Sequence, residues 1–203
     1  ANQRNNLSCS LYCLSRHKPT PPLRELLSRK IIILARDLAK PFQLTGHFDY
    51  IFHAAGYGQP AKFIADPFSA IAVNTEATKR LLQISERSKG RFIFFSSAEI
   101  YGPMPKGWRS IPEDYRGSYS LLTPRAVYAE AKRLGEIFCF LFRKEKGVKA
   151  KIVRLSHTYG PGISIYDSRV LADFVRKGLL EKKIRLLDAG RAVKTFGYVA
   201  DAV

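Results

Sequence analysis

Short runs rich in β-branched and aromatic residues alternate with longer segments of helical period along this chain. The first two runs predict strands over residues 7–14 and 30–35, joined by a short helical or irregular link over residues 23–28. A third run predicts a strand over residues 50–54. Strands that alternate with helical segments are typical of βαβ units, so the pattern predicts an α/β fold with a parallel sheet.

The second half of the chain continues this alternation. A helical pattern over residues 66–88 stops at Gly90, and a Phe-rich strand is predicted over residues 91–96. A strong helix follows over residues 128–146, with Gly147 as its C-cap. The last predicted elements are a strand over residues 151–155, a helix over 170–180 and a short strand over 184–187.

These elements predict a Rossmann-like parallel sheet with helices on both faces over residues 1–160. Residues 161–203 are expected to begin a small C-terminal substrate-binding region. A dinucleotide-binding Rossmann unit opens with a strand, a Gly-rich turn and a helix that seats the pyrophosphate. No such Gly-rich turn precedes Tyr50, and residues 201–203 read as the start of a helix, so the chain is expected to be truncated at both ends.

Charge and cysteine content narrow the class of protein. The chain carries 34 Lys and Arg against 17 Asp and Glu, a net charge of +17. An anionic small substrate such as a sugar diphosphate accounts for this charge, and nucleic-acid binding is the alternative. Cys9, Cys13 and Cys139 are odd in number and fit no zinc spacing, so we expect a reduced, cytoplasmic protein without a metal.

The sequence Tyr128-Ala-Glu-Ala-Lys132 is a candidate catalytic motif at the start of the long helix. A spacing of four places both side chains on one helical face. A nearby ammonium favours the phenolate, so Lys132 is expected to lower the pKa of Tyr128 and make it a base near neutral pH. The alternative is a surface pair without function.

Polar or small residues follow two of the predicted strands, at the sheet edge where α/β folds place their sites. Ser96 and Ser97 end the Phe-rich strand, and Ser97 is positioned to hydrogen-bond a substrate hydroxyl or carbonyl. Glu99 is either an acid/base or a turn carboxylate. His53-Ala54-Ala55-Gly56 offers small residues where a flat cofactor could approach the backbone, and the alternative is an ordinary turn.

These segments, in this order, resemble the extended short-chain dehydrogenase/reductases, which include nucleotide-sugar epimerases, 4,6-dehydratases and decarboxylases. The resemblance implies that Tyr128 is the catalytic base, that Lys132 holds the nicotinamide ribose and that Ser97 assists at the sugar C4 oxygen. It implies a bound NAD that oxidises C4 to a ketone and later returns the hydride. The implied cofactor contacts are Arg16, Asp37, Leu38, His53, Ala54, Ala55, Asn74, Ser96, Tyr128 and Lys132.

Within this family the chain is most similar to UDP-glucuronate decarboxylases. The length of residues 56–67 and the segments around residues 113–117 and 167–170 resemble that branch, while Ala98 stands where dehydratases carry an aspartate. A 4-epimerase or 4,6-dehydratase is the alternative reaction. The implied substrate contacts are Glu99, Arg125, His157, Arg169 and Lys194, of which His157 replaces the usual Asn and Lys194 the usual Arg.

The resemblance also implies partners. Family members dimerise through two long helices, here residues 66–88 and 128–146; the large apolar residues of the second helix fit this role or belong to the core. Arg16 follows the second strand of the Rossmann unit, where NAD-binding proteins carry an acidic residue, so NADP is the alternative cofactor. A non-catalytic nucleotide- or RNA-binding Rossmann module is the competing function of another class, and a polysaccharide role is implied by resemblance alone.

Overall fold

The computed structural model of this protein describes residues 9–17, 31–117, 120–186, 189–190 and 193–202. The chain divides into two compact units, Ala1–Gly46 and His47–Val203. None of the helices in these described ranges is long and apolar enough to cross a bilayer.

The first unit is built on two parallel strands. Strand β1 (Leu11–Ser15) pairs with β2 (Ile31–Ala35) from Leu11 opposite Ile31 onward, as the apolar runs predict. After β2 the chain turns at Asp37, whose carboxylate accepts a hydrogen bond of 3.0 Å from the Ala39 amide. The predicted link over residues 23–28, together with residues 7, 8 and 30 of the predicted strands, lies outside the described residues.

The second unit centres on three parallel strands in the order β3–β4–β5. They are β3 (Tyr50–His53), β4 (Arg91–Ser97) and β5 (Lys149–Leu155). All three were predicted within a residue or two. Burial alternates along β4, so that Phe92, Phe94 and Ser96 point into the core on one face. Parallel strands of this kind place their carboxyl ends at a common edge, where His53 and Ser97 lie.

Three helices connect β3 to β4, where a single one was predicted. They are α1 (Pro60–Ala65), α2 (Pro67–Asn74) and α3 (Glu76–Ser88). The break between α2 and α3 falls at Thr75, which has φ −116° and ψ −73°. There the side chains of Asn74 and Thr75 donate to the carbonyls of Ala70 and Ile71, and such bonds bend a helix.

The end of α3 also differs from the prediction. The left-handed residue is Lys89, at φ 50°, and Gly90 follows it. Gly90 is required for a different reason: a Cβ there would collide with the carbonyl oxygen of Phe48, the chain entering β3. The glycine therefore permits close backbone packing at the start of the sheet.

Helix α4 (Ala126–Lys146) lies against β4 and ends at Gly147 with φ 65°, as predicted. Its buried face consists mainly of small residues, including Ala129, Gly135 and Cys139. The large apolar residues of the helix point elsewhere: Leu134, Ile137 and Leu141 are exposed, and Phe138 and Phe142 are half-buried.

The C-terminal part contains a two-stranded parallel sheet, β6 (His157–Tyr159) and β7 (Phe196–Tyr198). Between them, helix α5 (Val170–Arg176) continues into a π-helical turn, Lys177–Glu181. The predicted strand over residues 184–187 is wrong for residues 184–186, and Leu187 lies outside the described residues. A short apolar run does not reveal whether a neighbouring strand is available to pair with it. In this part of the chain the strands that pair are the three-residue β6 and β7. The boundary at residues 160/161 stays a prediction.

Gly135 offers a test of how closely α4 must approach the sheet. A Cβ at this position would lie 2.5 Å from the Phe94 ring and 2.8 Å from the Asn74 carbonyl oxygen. We expect Gly135→Ala to lower the free energy of unfolding by about 1–3 kcal/mol, because overpacking outweighs the gain in helix propensity. Urea denaturation measures the change. Gly58→Ala is the control, since a Cβ there meets nothing within 4 Å, and an equal loss in both variants would contradict the explanation.

Candidate active site

The candidate site lies where β3 and β4 end and α4 begins. Tyr128 occupies the first turn of α4, half-buried, and its hydroxyl shares a hydrogen bond with Ser97 at the end of β4. Ser97 also accepts a hydrogen bond of 3.2 Å from the Glu99 amide, which starts a short 3₁₀ turn over Ala98–Tyr101. The structure therefore brings together the Tyr–Ser pair that the sequence predicted.

The pKa of Tyr128 departs from the sequence prediction. Burial raises it above its ordinary value, the Ser97 hydrogen bond lowers it, the Glu99 carboxylate raises it, and the Arg169 guanidinium lowers it. The net direction is upward, whereas Lys132 was expected to lower it. The reason is that desolvation of the phenolate outweighs the Ser97 hydrogen bond and the attraction of the Arg169 guanidinium, and Lys132 is not among the groups that shift this pKa.

Lys132 is nearly completely buried, with 3% of its surface exposed. Its Nζ donates a hydrogen bond of 2.6 Å to the Phe95 carbonyl oxygen, and it lies 4.8 Å from the Phe94 ring centre and 5.8 Å from that of Tyr128. Burial lowers its pKa to about 8, and the Glu136 carboxylate opposes this shift. The ammonium is thus tied to β4, one helical turn after Tyr128.

Asn74 and Gly56 complete the surroundings of Lys132. Asn74 is fully buried, and its Oδ1 has no hydrogen-bond partner among the described residues. A Cβ placed on Gly56 would lie 3.5 Å from that oxygen and 3.7 Å from the Lys132 Nζ. A buried amide oxygen and an ammonium therefore face the small residues after β3, where the sequence predicted a cofactor contact.

His53 at the end of β3 is buried and neutral, and the cofactor contact expected of it stays a prediction. It is 1% exposed and packs beside the rings of Phe92 and Phe94. Its Nε2 donates to the Val73 carbonyl oxygen at 3.1 Å, so Nδ1 carries the free lone pair. Burial, with the nearby Lys132 charge, lowers its pKa from 6.5 to about 4. The imidazole locks β3 to α2, directly before the exposed Ala54 and the half-buried Ala55.

Charged residues from two other segments reach the same place. The Arg125 guanidinium lies 3.6 Å from the Glu99 carboxylate. Arg169 forms a bidentate pair with the buried Asp167, with a shortest distance of 2.7 Å. This pair and a hydrogen bond from Gln59 hold the pKa of Asp167 at about 2. Glu99, Arg125 and Arg169 therefore converge on the site as predicted.

Three residues of the site escaped the sequence analysis. Phe63 stacks on Tyr128, Asp167 holds Arg169, and Gln59 bonds Asp167. An aspartate two positions before the arginine was a signal for the second contact. Nothing in the local pattern pointed to Phe63, because α1 itself was not predicted.

Glu136 and Arg154 form a brace behind Lys132. The Arg154 guanidinium donates to both carboxylate oxygens of Glu136, at 3.0 and 2.7 Å, and to the Tyr101 hydroxyl at 2.9 Å. These bonds raise the pKa of Arg154. The brace connects β5, α4 and the turn that carries Glu99.

The remaining predicted contacts lie elsewhere. His157 packs on Phe196 in the β6–β7 sheet, with ring centres 5.6 Å apart, and Lys194 is exposed. In the first unit Arg16 is exposed, Asp37 forms the turn after β2, and Leu38 is buried. The roles assigned to these residues, and to Ser96, stay predictions.

Comparison with known proteins identifies the family. The model of the family described as "NAD dependent epimerase/dehydratase family" matches residues 10–203. The chain belongs to this family. Solved structures of similar fold include a UDP-glucose 4-epimerase of Thermotoga maritima, with a TM-score of 0.78 and 22% identity over 95% of this chain and 62% of that one. A UDP-glucuronic acid 4-epimerase of Bacillus cereus, solved with UDP-glucuronic acid and NAD, has a TM-score of 0.75 and 20% identity over the same shares.

Curated relatives of this epimerase/dehydratase chain carry a decarboxylase name. UDP-glucuronic acid decarboxylase 1 of Xenopus tropicalis is 29% identical over 84% of this chain and 40% of its own length. UDP-glucuronic acid decarboxylase 5 of Arabidopsis thaliana is also 29% identical, over 84% of this chain and 49% of its own length. The chain thus spans less than half of these relatives. The Rossmann-like fold and the enzyme family predicted from the motifs are confirmed.

The burial of His53 predicts a pH-dependent stability. Below pH 6.5 the unfolded chain binds a proton at this histidine, whereas the folded chain binds it only near pH 4. Stability should therefore fall as the pH drops through this window, by about 3 kcal/mol from His53. Urea unfolding at several pH values measures it. His53→Gln should flatten the slope and His47→Gln, a 67% exposed side chain, should not; equal slopes in all three proteins would contradict the assignment.

Proposed function

We propose that this protein modifies a nucleotide sugar through a transient 4-keto intermediate, using bound NAD, and that the reaction is UDP-glucuronate decarboxylation. The observation that supports it is the convergence of Tyr128, Ser97 and Lys132, with Glu99, at one strand end. The decarboxylase names of the relatives favour this branch. Such a set of reacting groups also favours an enzyme over a non-catalytic RNA-binding module.

The residues around Lys132 fit the cofactor for which the family is named. The Asn74 Oδ1 is buried without a described partner, the Lys132 Nζ has donors to spare, and Gly56 leaves the backbone approachable. Lys132 would bind the nicotinamide ribose hydroxyls. NAD, when bound, supplies a hydride acceptor and a positive charge, and that charge would favour the Tyr128 phenolate.

Each side chain then has a role that its position supports. Tyr128 accepts the proton of the sugar C4 hydroxyl, and Ser97 hydrogen-bonds the same oxygen. Once C4 is a ketone, the bond from C5 to the carboxylate breaks, CO2 leaves and the electron pair stays on the sugar as an enolate. C5 then takes up a proton, and the hydride would return to C4. Glu99, whose carboxylate lies 3.6 Å from the Arg125 guanidinium, is placed to act as the acid/base for the proton that C5 takes up. The Arg169 guanidinium adds positive charge for an anionic substrate.

The exposed apolar residues of α2 and α4 support a second part of the proposal, a homodimer. These helices pack against each other, and both expose large apolar side chains, among them Phe68 at 83% and Ile137 at 51%. Large apolar side chains exposed on two helices that pack together are a feature of interaction surfaces. We infer that a second copy of the chain covers it through the same two helices.

The proposed reaction is tested with UDP-glucuronate and NAD. We expect release of CO2 and a sugar product lighter than the substrate by the mass of CO2, about 44 Da; Tyr128→Phe should slow the reaction on the order of 10²–10⁴-fold, because the proposed base is lost. Mass spectrometry of the sugar and a CO2 assay measure it. Protein that includes the Gly-rich turn and still neither carries nor binds a nicotinamide cofactor would sink the proposal.

Other products would change the proposed reaction but not the family. A sugar isomer without mass loss indicates an epimerase, and loss of water indicates a dehydratase. Glu99→Gln separates the steps: it should keep NAD binding and build up NADH absorbance at the oxidation stage. Glu76→Gln is its control, because that side chain is 59% exposed and paired with Arg80 on α3.

The inferred dimer is tested by placing a charged side chain in its interface. Ile137→Asp should place a desolvated carboxylate in the interface and give a monomer, seen as a halved mass by light scattering after size exclusion. Leu179→Asp is the matched control, since Leu179 is exposed on the π-helical turn after α5. A wild-type protein that is monomeric at micromolar concentration would contradict the inferred interface.

A further inference from the structure

The ring of Phe63 lies face to face with the ring of Tyr128. Their centres are 5.1 Å apart and their planes differ by 11°, and Phe63 is only 4% exposed. Offset stacking of two aromatic rings contributes about 0.5–1.5 kcal/mol beyond the burial of their surfaces. Phe63 belongs to α1, a separate segment from the helix that carries Tyr128, so the contact restrains the phenol from outside its own helix.

The segment that carries Phe63 is itself anchored at both ends. Gln59, the residue before α1, hydrogen-bonds the buried Asp167. At the other end lies Asp66, which accepts a hydrogen bond of 3.1 Å from the Tyr57 hydroxyl and one of 3.3 Å from the Ser69 amide, at the start of α2. These bonds close residues 57–66 into a fixed unit, and the stacked ring is therefore held in place.

The same unit is connected to the second group that acts on Tyr128. Asp167, which Gln59 bonds, forms the bidentate pair with Arg169, and the Arg169 charge reaches the phenol. One short segment thus contacts the Tyr128 ring directly and also supports Arg169, whose charge lowers the pKa of the Tyr128 hydroxyl. A phenylalanine that only filled the core would contact the Tyr128 ring, but its segment would have no reason to bond the partner of Arg169 as well.

We propose that Phe63 is a positioning residue for Tyr128, whose stacked ring holds the phenol against Ser97 and keeps water from it. The catalytic consequence rests on the function proposed above, whereas the effect on the phenol itself does not. The other groups that face Tyr128 are Ser97 and Glu99 from the end of β4, Arg169 from the segment before α5, and Lys132 from its own helix. Removing the ring would add water to this set.

The direct test follows the phenol by NMR of protein labelled with ¹³Cζ-tyrosine, with the Tyr128 resonance assigned by its loss in Tyr128→Phe. Phe63→Leu keeps an apolar side chain but removes the stack, so we expect the pKa of Tyr128 to fall toward its ordinary value. Phe63→Tyr keeps the stack and should keep the pKa. Ile64→Leu, on the exposed side of α1, is the control and should leave the resonance unchanged. An identical titration in Phe63→Leu and wild type would overturn the proposal.

The catalytic test uses the turnover of UDP-glucuronate. Misplacement of the base should lower kcat on the order of tenfold in Phe63→Leu with little change in KM, and Phe63→Tyr should restore it. A loss confined to thermal stability, with kcat unchanged, would assign Phe63 to the core alone and contradict the proposal. If Phe63→Leu does not fold, Phe63→Met gives the same comparison. A protein inactive on this sugar defeats the proposed function, while the NMR titration still decides the role of Phe63.

Discussion

The buried ammonium of Lys132 is the group on which the rest of the site depends. Burying an isolated charge costs several kcal/mol, so the side chain is stable only with compensating partners. The Phe95 carbonyl, the Phe94 ring and the Glu136 carboxylate provide them, from β4 and from α4 itself. Satisfying the charge thereby fixes the first turns of α4 against the end of β4, which places Tyr128 beside Ser97.

The same burial sets the charge states of the site. Desolvation shifts acids and bases in opposite directions, because it disfavours the charged form of each. The pKa of Tyr128 accordingly rises, that of Lys132 falls to about 8 and that of His53 falls to about 4. Without ligands the phenol is protonated at neutral pH. Positive charge, such as that of the Arg169 guanidinium, favours the phenolate form of Tyr128.

Local pattern was sufficient to predict most elements of the second unit and several site residues. The strands β3, β4 and β5 are apolar runs with turn signals at their ends, and α4 has a strong period and a glycine cap. The residues for which catalytic roles are proposed follow those strands or open that helix, so their order along the chain already indicated one sheet edge. The sequence could not show that α2 and α3 are separate helices, because their break comes from side-chain bonds to the backbone at Thr75.

The sequence by itself determined the α/β class and carried the family motifs, because these depend on local periodicity and on fixed spacing. Tyr128, Lys132, Ser97 and Glu99 were singled out from those motifs. The tertiary structure alone decided the direction of the Tyr128 pKa, the neutral state of His53 and the stacking of Phe63. These properties depend on how much water is excluded and on which distant side chains meet. Burial and long-range contact are set by packing, and no local pattern records them.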